Sequence, residues 1–353
     1  MTNNVVFFSR CRPQDSDPIE IVLRERRVFI GYPAWRSVNS EREKKRLRNH
    51  VIDLRCSDEE WAALRGGFGK DGREYQKNRN FVRAIEPGAI ALVPRPGRGV
   101  VYAGRVTSPF ELLDDPPWGE EYLRLRRKQG LDVSDECGHL ADVAQCCAVD
   151  AFRSIPFAGV PAWIRRSLFG RSTYGLVRPL QPFGFDPYSA LVKLLDNPQS
   201  AFPSWTDELD EIERRLVEAV GPNPFEHLCV ALLQLEHPQE SWVHVGGSGD
   251  GGVDGIGTGP DGNVVGMLQC KWAYQGERLT IAETAAVSSV RQVLASILHP
   301  SEVTVPAGVE FWSRRRIAEI LKEHADQLPL ALSIRIARVA DRPSTTVQIP
   351  VDD

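Results

Sequence analysis

Hydrophobic and polar positions follow two different rhythms along this chain, with the change falling near residue 186. Upstream, short apolar runs (Ile21 to Leu23, Val28 to Tyr32, Ala89 to Val93, Val100 to Val106 and Tyr174 to Val177) are separated by Pro, Gly or charged residues. Runs of this length bounded by turn-forming residues predict the strands of a small, mostly β barrel. Helical insertions are predicted at Ser40 to His50, Asp58 to Leu64 and Glu120 to Lys128, where charged helix formers dominate. Downstream, Phe225, Leu228, Cys229, Leu232 and Leu233 recur at helical spacing, followed by Trp242 to Val245, a Gly-rich turn and Val264 to Lys271. Ala282 to Leu298 predicts a long helix, Val303 a strand and Arg314 to His324 a last helix. After it, Leu330, Leu332, Ile334 and Ile336 share one face of an alternating stretch. Helices alternating with strands predict an α/β unit with a mixed central sheet. Between the two patterns lie Asp196-Asn197-Pro198-Gln199-Ser200 and an acidic amphipathic stretch, Glu208 to Val220. The chain is therefore divided into residues 1–185, a linker with a helix at 186–220, and residues 221–353.

Composition narrows this picture. At 353 residues, with 42% hydrophobic and 25% charged positions, the chain has material for two folded domains. No apolar run approaches the roughly 20 residues that span a bilayer, and Met1-Thr2-Asn3-Asn4 does not begin a signal-peptide pattern. A cytoplasmic protein with no membrane partner is expected. Seven cysteines, an odd number widely scattered, predict free thiols in a reducing compartment. The net charge of −4 creates no global positive field for nucleic acid. Basic clusters do occur at Arg42 to Arg48, Arg124 to Lys128 and Arg165 to Arg171, and each reads either as a phosphate contact or as a solvated helix face.

The chemistry concentrates between Phe225 and Lys271. A turn, Gly246-Gly247-Ser248-Gly249-Asp250-Gly251-Gly252-Val253-Asp254-Gly255, brings an acidic group to the end of an apolar run, and Gln269, Cys270 and Lys271 follow on the next strand. Strand alternation puts Gln269 and Lys271 on one face and Cys270 on the other. Phosphodiester hydrolysis calls for a divalent cation held by hard oxygen ligands, and Mg²⁺ or Mn²⁺ suits Asp254, the Gln269 amide and the Cys270 main-chain carbonyl. Lys271 is then placed to orient the attacking water or to stabilise charge on the phosphate, with Glu226 as an outer carboxylate. Gly247, Gly249 and Gly252 also fit a dinucleotide fingerprint in spacing, but Val253-Asp254-Gly255-Ile256-Gly257 does not start a helix. A single calcium-type β-roll unit lacks the tandem copies such a structure needs. The bland reading makes Asp250 and Asp254 turn residues and Lys271 an edge charge. Cys137, His139, Cys146 and Cys147 could be assembled into a zinc site, but their spacing is not a standard one, and buried free cysteines explain them more simply. His227 and His244 flank the motif without an assigned role.

The segments Phe225-Glu226-His227-Leu228, Gly251-Gly252-Val253-Asp254-Gly255 and Gln269-Cys270-Lys271, in that order, resemble the Mrr-type branch of the PD-(D/E)xK restriction endonucleases in its glutamine variant. The resemblance spans about residues 221 to 340 and is weaker at Gly308-Val309-Glu310-Phe311-Trp312. It implies a restriction-endonuclease-like α/β domain in which Asp254 and Gln269 hold the metal and Lys271 is catalytic. Residues 20 to 180, through Ile85 to Pro94 and Gly99 to Val106, are similar to PUA/EVE-like β-barrel modules with helical insertions. That similarity implies a nucleic-acid reader, with Tyr32, Trp35, Trp118 and Tyr174 as candidates for stacking on a base and Arg105 and Arg171 as phosphate contacts. Each of these aromatics reads equally as a core side chain. Together the resemblances imply a type IV-like DNA endonuclease of bacterial defence that cuts modified or foreign DNA as a homodimer or larger assembly. Two alternatives stay open: an effector-activated or structure-specific nuclease, and a DNA-binding protein with a degenerate nuclease fold.

Overall fold

The structure is a computed structural model that describes residues 4–30, 51, 56–67, 72–134, 136–169, 172–180, 185–197, 205–245, 252–272, 290–298, 303, 305 and 307–328, the side chains of 136–138 excepted. The chain falls into two compact units, Met1–Val160 with Ile164–Pro198, and Pro161–Trp163 with Gln199–Asp353. The fold is α+β with mixed sheets. Up to residue 196 the elements are β1 (Val6–Ser9), α1 (Ile19–Glu25), β2 (Arg27–Phe29), α2 (Asp58–Arg65), α3 (Gly72–Arg83), β3 (Ile90–Arg95) and β4 (Val100–Arg105). They continue with β5 (Glu111–Leu112), α4 (Gly119–Lys128), α5 (Glu136–Ala144), β6 (Gln145–Ala148), β7 (Arg153–Pro156), α6 (Ala162–Leu168), β8 (Tyr174–Leu176) and α7 (Pro187–Asp196).

In the first unit, five strands run in the order β7-β4-β3-β1-β8 and three more in the order β2-β6-β5. Strand β3 is buried along its whole length, as a central strand must be, and pairs in parallel with β1 and antiparallel with β4. The β1 register stops at Leu92, so Pro94, which has no N–H to give, lies beyond that ladder. A closed barrel is not shown by the described strands. Helix content also exceeds the sequence expectation. Ile21 to Leu23, read as strand, lies in α1, and α3, α5 and α7 were not anticipated. Three-residue apolar runs fit either period, and only the left-handed cap at Arg26 (φ 53°) separates α1 from β2. The predicted insertions at Asp58 and Glu120 are α2 and α4, the first opened by a capping box in which Ser57 and Glu60 exchange hydrogen bonds. Ser40 to His50 lies outside the described residues.

The second unit contains α8 (Leu209–Ala219), α9 (Pro222–Glu236), β9 (Ser241–His244), β10 (Gly255–Thr258), β11 (Val264–Lys271), β12 (Arg291–Ser296), β13 (Glu310–Trp312) and α10 (Arg314–Glu323). Its sheet has the order β13-β12-β11-β10-β9, with β9, β10 and β11 antiparallel and β11, β12 and β13 parallel. Helix α9 starts at a proline, whose missing N–H costs nothing there, and buries Phe225, Leu228, Cys229, Leu232 and Leu233, the stripe read from the sequence. The Trp242 indole lies so close over the sheet that a Cβ at Gly266 would meet it at 2.5 Å. Ion pairs join α8 to α10 through Arg314–Glu213 (3.0 Å) and Arg315–Asp210 (2.6 Å).

The long helix expected at Ala282 to Leu298 is contradicted over its described part, where Arg291–Ser296 is strand β12. Val293, Leu294, Ala295 and Ser296 are all buried between β11 and β13. A strand covered on both faces carries a continuous apolar run rather than an alternating one, and such a run is indistinguishable by period from a buried helix. Val303 lies outside any strand. The alternating stretch from Leu330 to Ile336 is outside the described residues.

Candidate functional site

The end of β11 is where the sequence motif becomes a place. Strand β10 pairs with β11 so that Gly255 faces Leu268. Asp254 extends that ladder: its N–H donates to the Leu268 carbonyl at 2.8 Å, while its Oδ2 accepts from the Cys270 N–H at 2.7 Å. The carboxylate is thus held against the backbone of the residue between Gln269 and Lys271. An N–H and C=O of one strand residue leave the same edge, so the Cys270 carbonyl faces the Asp254 side as well.

Gln269, like Trp272 and His324 of the same unit, carries a buried polar atom without a hydrogen-bond partner among the described residues. It is 7% exposed, and the atom is its Oε1. Leaving an amide oxygen dry and unpaired costs about 1–3 kcal/mol, which native interiors rarely tolerate. The turn before Asp254 closes against this amide. Gly252 adopts a left-handed φ of 85°, and a Cβ on it would stand 2.6 Å from Gln269 Nε2. The left-handed φ favours glycine there, and a methyl would have to displace the end of the Gln269 side chain. Lys271 closes the strand half-buried, on the Gln269 face by alternation, and its carbonyl accepts from Ser296 Oγ at 2.8 Å.

Helix α9 supplies the other side. Cys270 meets Cys229 of α9, and its thiol pKa is pushed well above the usual thiol value by burial first, then by Cys229 and by the nearby charges of Asp254 and Glu226. Glu226 Oε2 is in hydrogen-bond contact with His244 Nε2 at 2.8 Å, and the His244 ring lies 4.1 Å from that of His227. The sequence left His244 without a role. Its position at the end of β9, with Glu226 one helix away, could be found only once α9 and β9 were known to pack together.

The Asp254 carboxylate, the Gln269 amide and the Cys270 carbonyl all offer hard oxygen ligands of the kind that Mg²⁺ or Mn²⁺ takes. The orphaned Gln269 oxygen is the observation that fits such an ion. A different cluster with metal-ligand spacing, Glu236, Glu323 and His324, joins the ends of α9 and α10. There Glu236 is already neutralised by Arg316 (2.9 Å) and bonded to His324 (2.9 Å), so it ties two helices together.

Of the residues proposed for base and phosphate contact in the first unit, Arg105, Trp118 and Tyr174 are described, and each has its own separate neighbours. Trp118 is 4% exposed, donates to the Val143 carbonyl at 3.1 Å and packs on Phe29 at 5.5 Å. A stacking role for it is corrected: its ring is core. Tyr174 is half-buried, with its ring 4.5 Å from that of Phe81. Arg105 is within 3.4 Å of Tyr188 Oη and of Asp196. Tyr32, Trp35 and Arg171 lie outside the described residues. Cys146 and Cys147 are adjacent on β6 and buried, and burial raises the Cys146 thiol to about 12, which suits packed thiols rather than zinc ligands. Six cysteines, Cys11, Cys56, Cys146, Cys147, Cys229 and Cys270, are free.

Compared with family models, with curated proteins and with solved structures, the chain matches none. Among the described residues no helix is long and apolar enough to cross a membrane.

Proposed function

We propose that the chain is a divalent-metal-dependent DNA endonuclease of the Mrr type, with the second unit as the nuclease and the first as the reader of modified or foreign DNA. The carrying observation is Gln269: a buried, unpartnered amide oxygen on the strand to whose backbone Asp254 is hydrogen-bonded. Asp254, Gln269 Oε1 and the Cys270 carbonyl would hold Mg²⁺ or Mn²⁺, which when bound supplies positive charge at the scissile phosphate. Lys271, on the same strand face as Gln269, orients the attacking water and offsets the negative charge that gathers on the phosphate oxygens. Glu226, held by His244, is the outer carboxylate and steadies the helix side of the site. The bond formed is water oxygen to phosphorus, and the bond broken is phosphorus to the ester oxygen of the strand.

The PUA/EVE-like reading of the first unit rests on the resemblance of Ile85 to Pro94 and Gly99 to Val106, which form the β3–β4 hairpin. One such centre hydrolyses one strand, so double-strand cleavage calls for a homodimer or larger assembly in the cytoplasm of a cell with DNA to defend against.

The test is cleavage of matched plasmids, unmodified, carrying 5-methylcytosine or carrying hydroxymethylcytosine, by the wild type and by Lys271→Ala with Mg²⁺ or Mn²⁺. The expected result is that the wild type cuts modified DNA and the variant cuts nothing. Cutting of all three plasmids keeps the nuclease and removes the modified-base reader. Undiminished cutting by Lys271→Ala removes the assigned centre, and no cutting by either protein favours a DNA-binding role.

A further inference from the structure

The first unit contains a cavity of about 440 Å³, within the range of small-molecule sites, that no sequence motif marked. Among the described residues, four arginines line it, Arg10, Arg12, Arg95 and Arg98, against a single carboxylate, Asp17. Its chemistry is therefore that of an anion site, and guanidinium groups, with planar paired donors, match phosphate oxygens better than ammonium groups do.

The wall is built, not incidental. Arg95 is 5% exposed, is paired to Asp17 Oδ1 at 2.7 Å and donates to the Arg10 carbonyl at 2.7 Å, so it fixes the strand end to the loop. The loop on either side of Arg12 is strained: Cys11, Gln14 and Asp15 have φ of 44°, 45° and 65°, the region that side-chain-bearing residues avoid. Such conformations persist only where the surroundings over-determine them, and they gather at ligand sites. Here the surroundings are buried Ser9, Cys11 and Ser16. Ser9 Oγ donates to the Phe29 carbonyl at 2.5 Å and accepts the Cys11 N–H at 3.3 Å, and Ser16 Oγ donates to the Pro13 carbonyl at 2.7 Å. Arg98, half-exposed, lies 3.4 Å from Glu20 in a loose contact that a phosphate can replace.

At the rim stands Phe169, 62% exposed and propped edge-on by Phe157 at 5.2 Å. A large ring held in water beside a cluster of guanidiniums has the two halves of a nucleotide site, a stacking face and a phosphate cradle.

We infer that this cavity binds a nucleoside phosphate, either a free nucleotide or a nucleotide unit of a single strand, with the phosphate among Arg10, Arg12 and Arg98 and the base against Phe169. The inference does not rest on the nuclease reading, and its test involves no cleavage and no divalent cation. Equilibrium dialysis of the full chain is run against radiolabelled dAMP, adenosine and a short end-labelled single-stranded oligonucleotide. Retention of dAMP or of the strand, with adenosine passing through, is expected. Arg12→Glu and Phe169→Ser, both exposed positions, are each expected to weaken retention at least about tenfold with an unchanged melting temperature. Retention of dAMP assigns the free nucleotide, and retention of the strand alone assigns the strand. Retention of neither, equal retention of adenosine, or retention unaltered by Arg12→Glu overturns the site, and indifference to Phe169→Ser overturns the stacking half of it.

Discussion

Two buried glutamines, one in each unit, meet opposite fates. Gln145 in the first unit is 1% exposed and exchanges hydrogen bonds with Asn78, giving Nε2 to Oδ1 at 2.7 Å and receiving Nδ2 at 3.3 Å. Gln269 in the second is 7% exposed and leaves Oε1 unpartnered. The residue type and burial are alike, so burial alone does not mark a site. The difference is in the accounting of polar atoms: Gln145 is closed by its neighbour, whereas Gln269 is left open, and the proposed metal site assigns that opening to a ligand.

The largest effect expected from this contrast falls on chemistry. Asp254→Ala and Lys271→Ala should each lower plasmid cleavage by about 10²–10⁴-fold. Lys271→Ala should leave the melting temperature nearly unchanged, whereas Asp254→Ala also abandons the Cys270 N–H and should lower it. Cleavage that survives either change at wild-type rates would break the comparison at its root.

Next come the glutamines themselves, replaced by leucine. Gln145→Leu abandons the Asn78 amide inside the first unit and should cost about 1–3 kcal/mol, read as a lower denaturant midpoint, with no change in Mn²⁺ affinity. Gln269→Leu removes an unpaired oxygen and should be neutral or slightly stabilising in the same denaturation, because no partner is abandoned. If both substitutions destabilise equally, Gln269 is a structural residue like Gln145. A smaller change sharpens the geometry: Gly252→Ala places a methyl 2.6 Å from Gln269 Nε2 and asks alanine to adopt φ 85°. It should cost about 1 kcal/mol and also reduce cleavage, whereas a stable, fully active variant would show that the turn does not position the amide.

The smallest effect concerns helix α8, remote from the motif. Its Glu211 carboxyl is held down at about 2, chiefly by the hydrogen bond from Arg214 and further by Arg215, from an ordinary 4.5. A carboxylate with a depressed folded pKa contributes its stability above the ordinary value and loses it as pH falls from about 4.5 toward about 2. For a partly exposed pair this amounts to on the order of 1 kcal/mol. Acid unfolding of Glu211→Gln, followed by circular dichroism, should show a shallower loss of stability over that interval than the wild type, and identical profiles would contradict it.

The second unit was the more legible of the two, for a physical reason. Its motif residues lie on one strand and one turn, so alternation and register fix their neighbours, and the Phe225 to Leu233 stripe follows a single helical period. Asp254, Gln269 and Lys271 could be placed from the sequence because each depends on local structure. His244 could not, since its bond to Glu226 spans two elements whose contact no local pattern encodes. The same applies more strongly to the first unit. Its cavity gathers Arg12, Arg95 and Phe169 from three separated segments, and the strained backbone at Cys11 and Gln14 has no glycine to announce it. Trp118 shows the converse, a conspicuous aromatic that the core consumed. Strand β12 was missed because burial on both faces erases the alternation that distinguishes strand from helix.

The central claim, that Gln269 is held open for a divalent cation, is tested most directly by titrating Mn²⁺ into the full chain and into Gln269→Leu and reading free ion by electron paramagnetic resonance. The account predicts saturable binding to the wild type, weakened at least about tenfold in Gln269→Leu with its denaturant midpoint preserved. Equal Mn²⁺ affinity in the two proteins would contradict it.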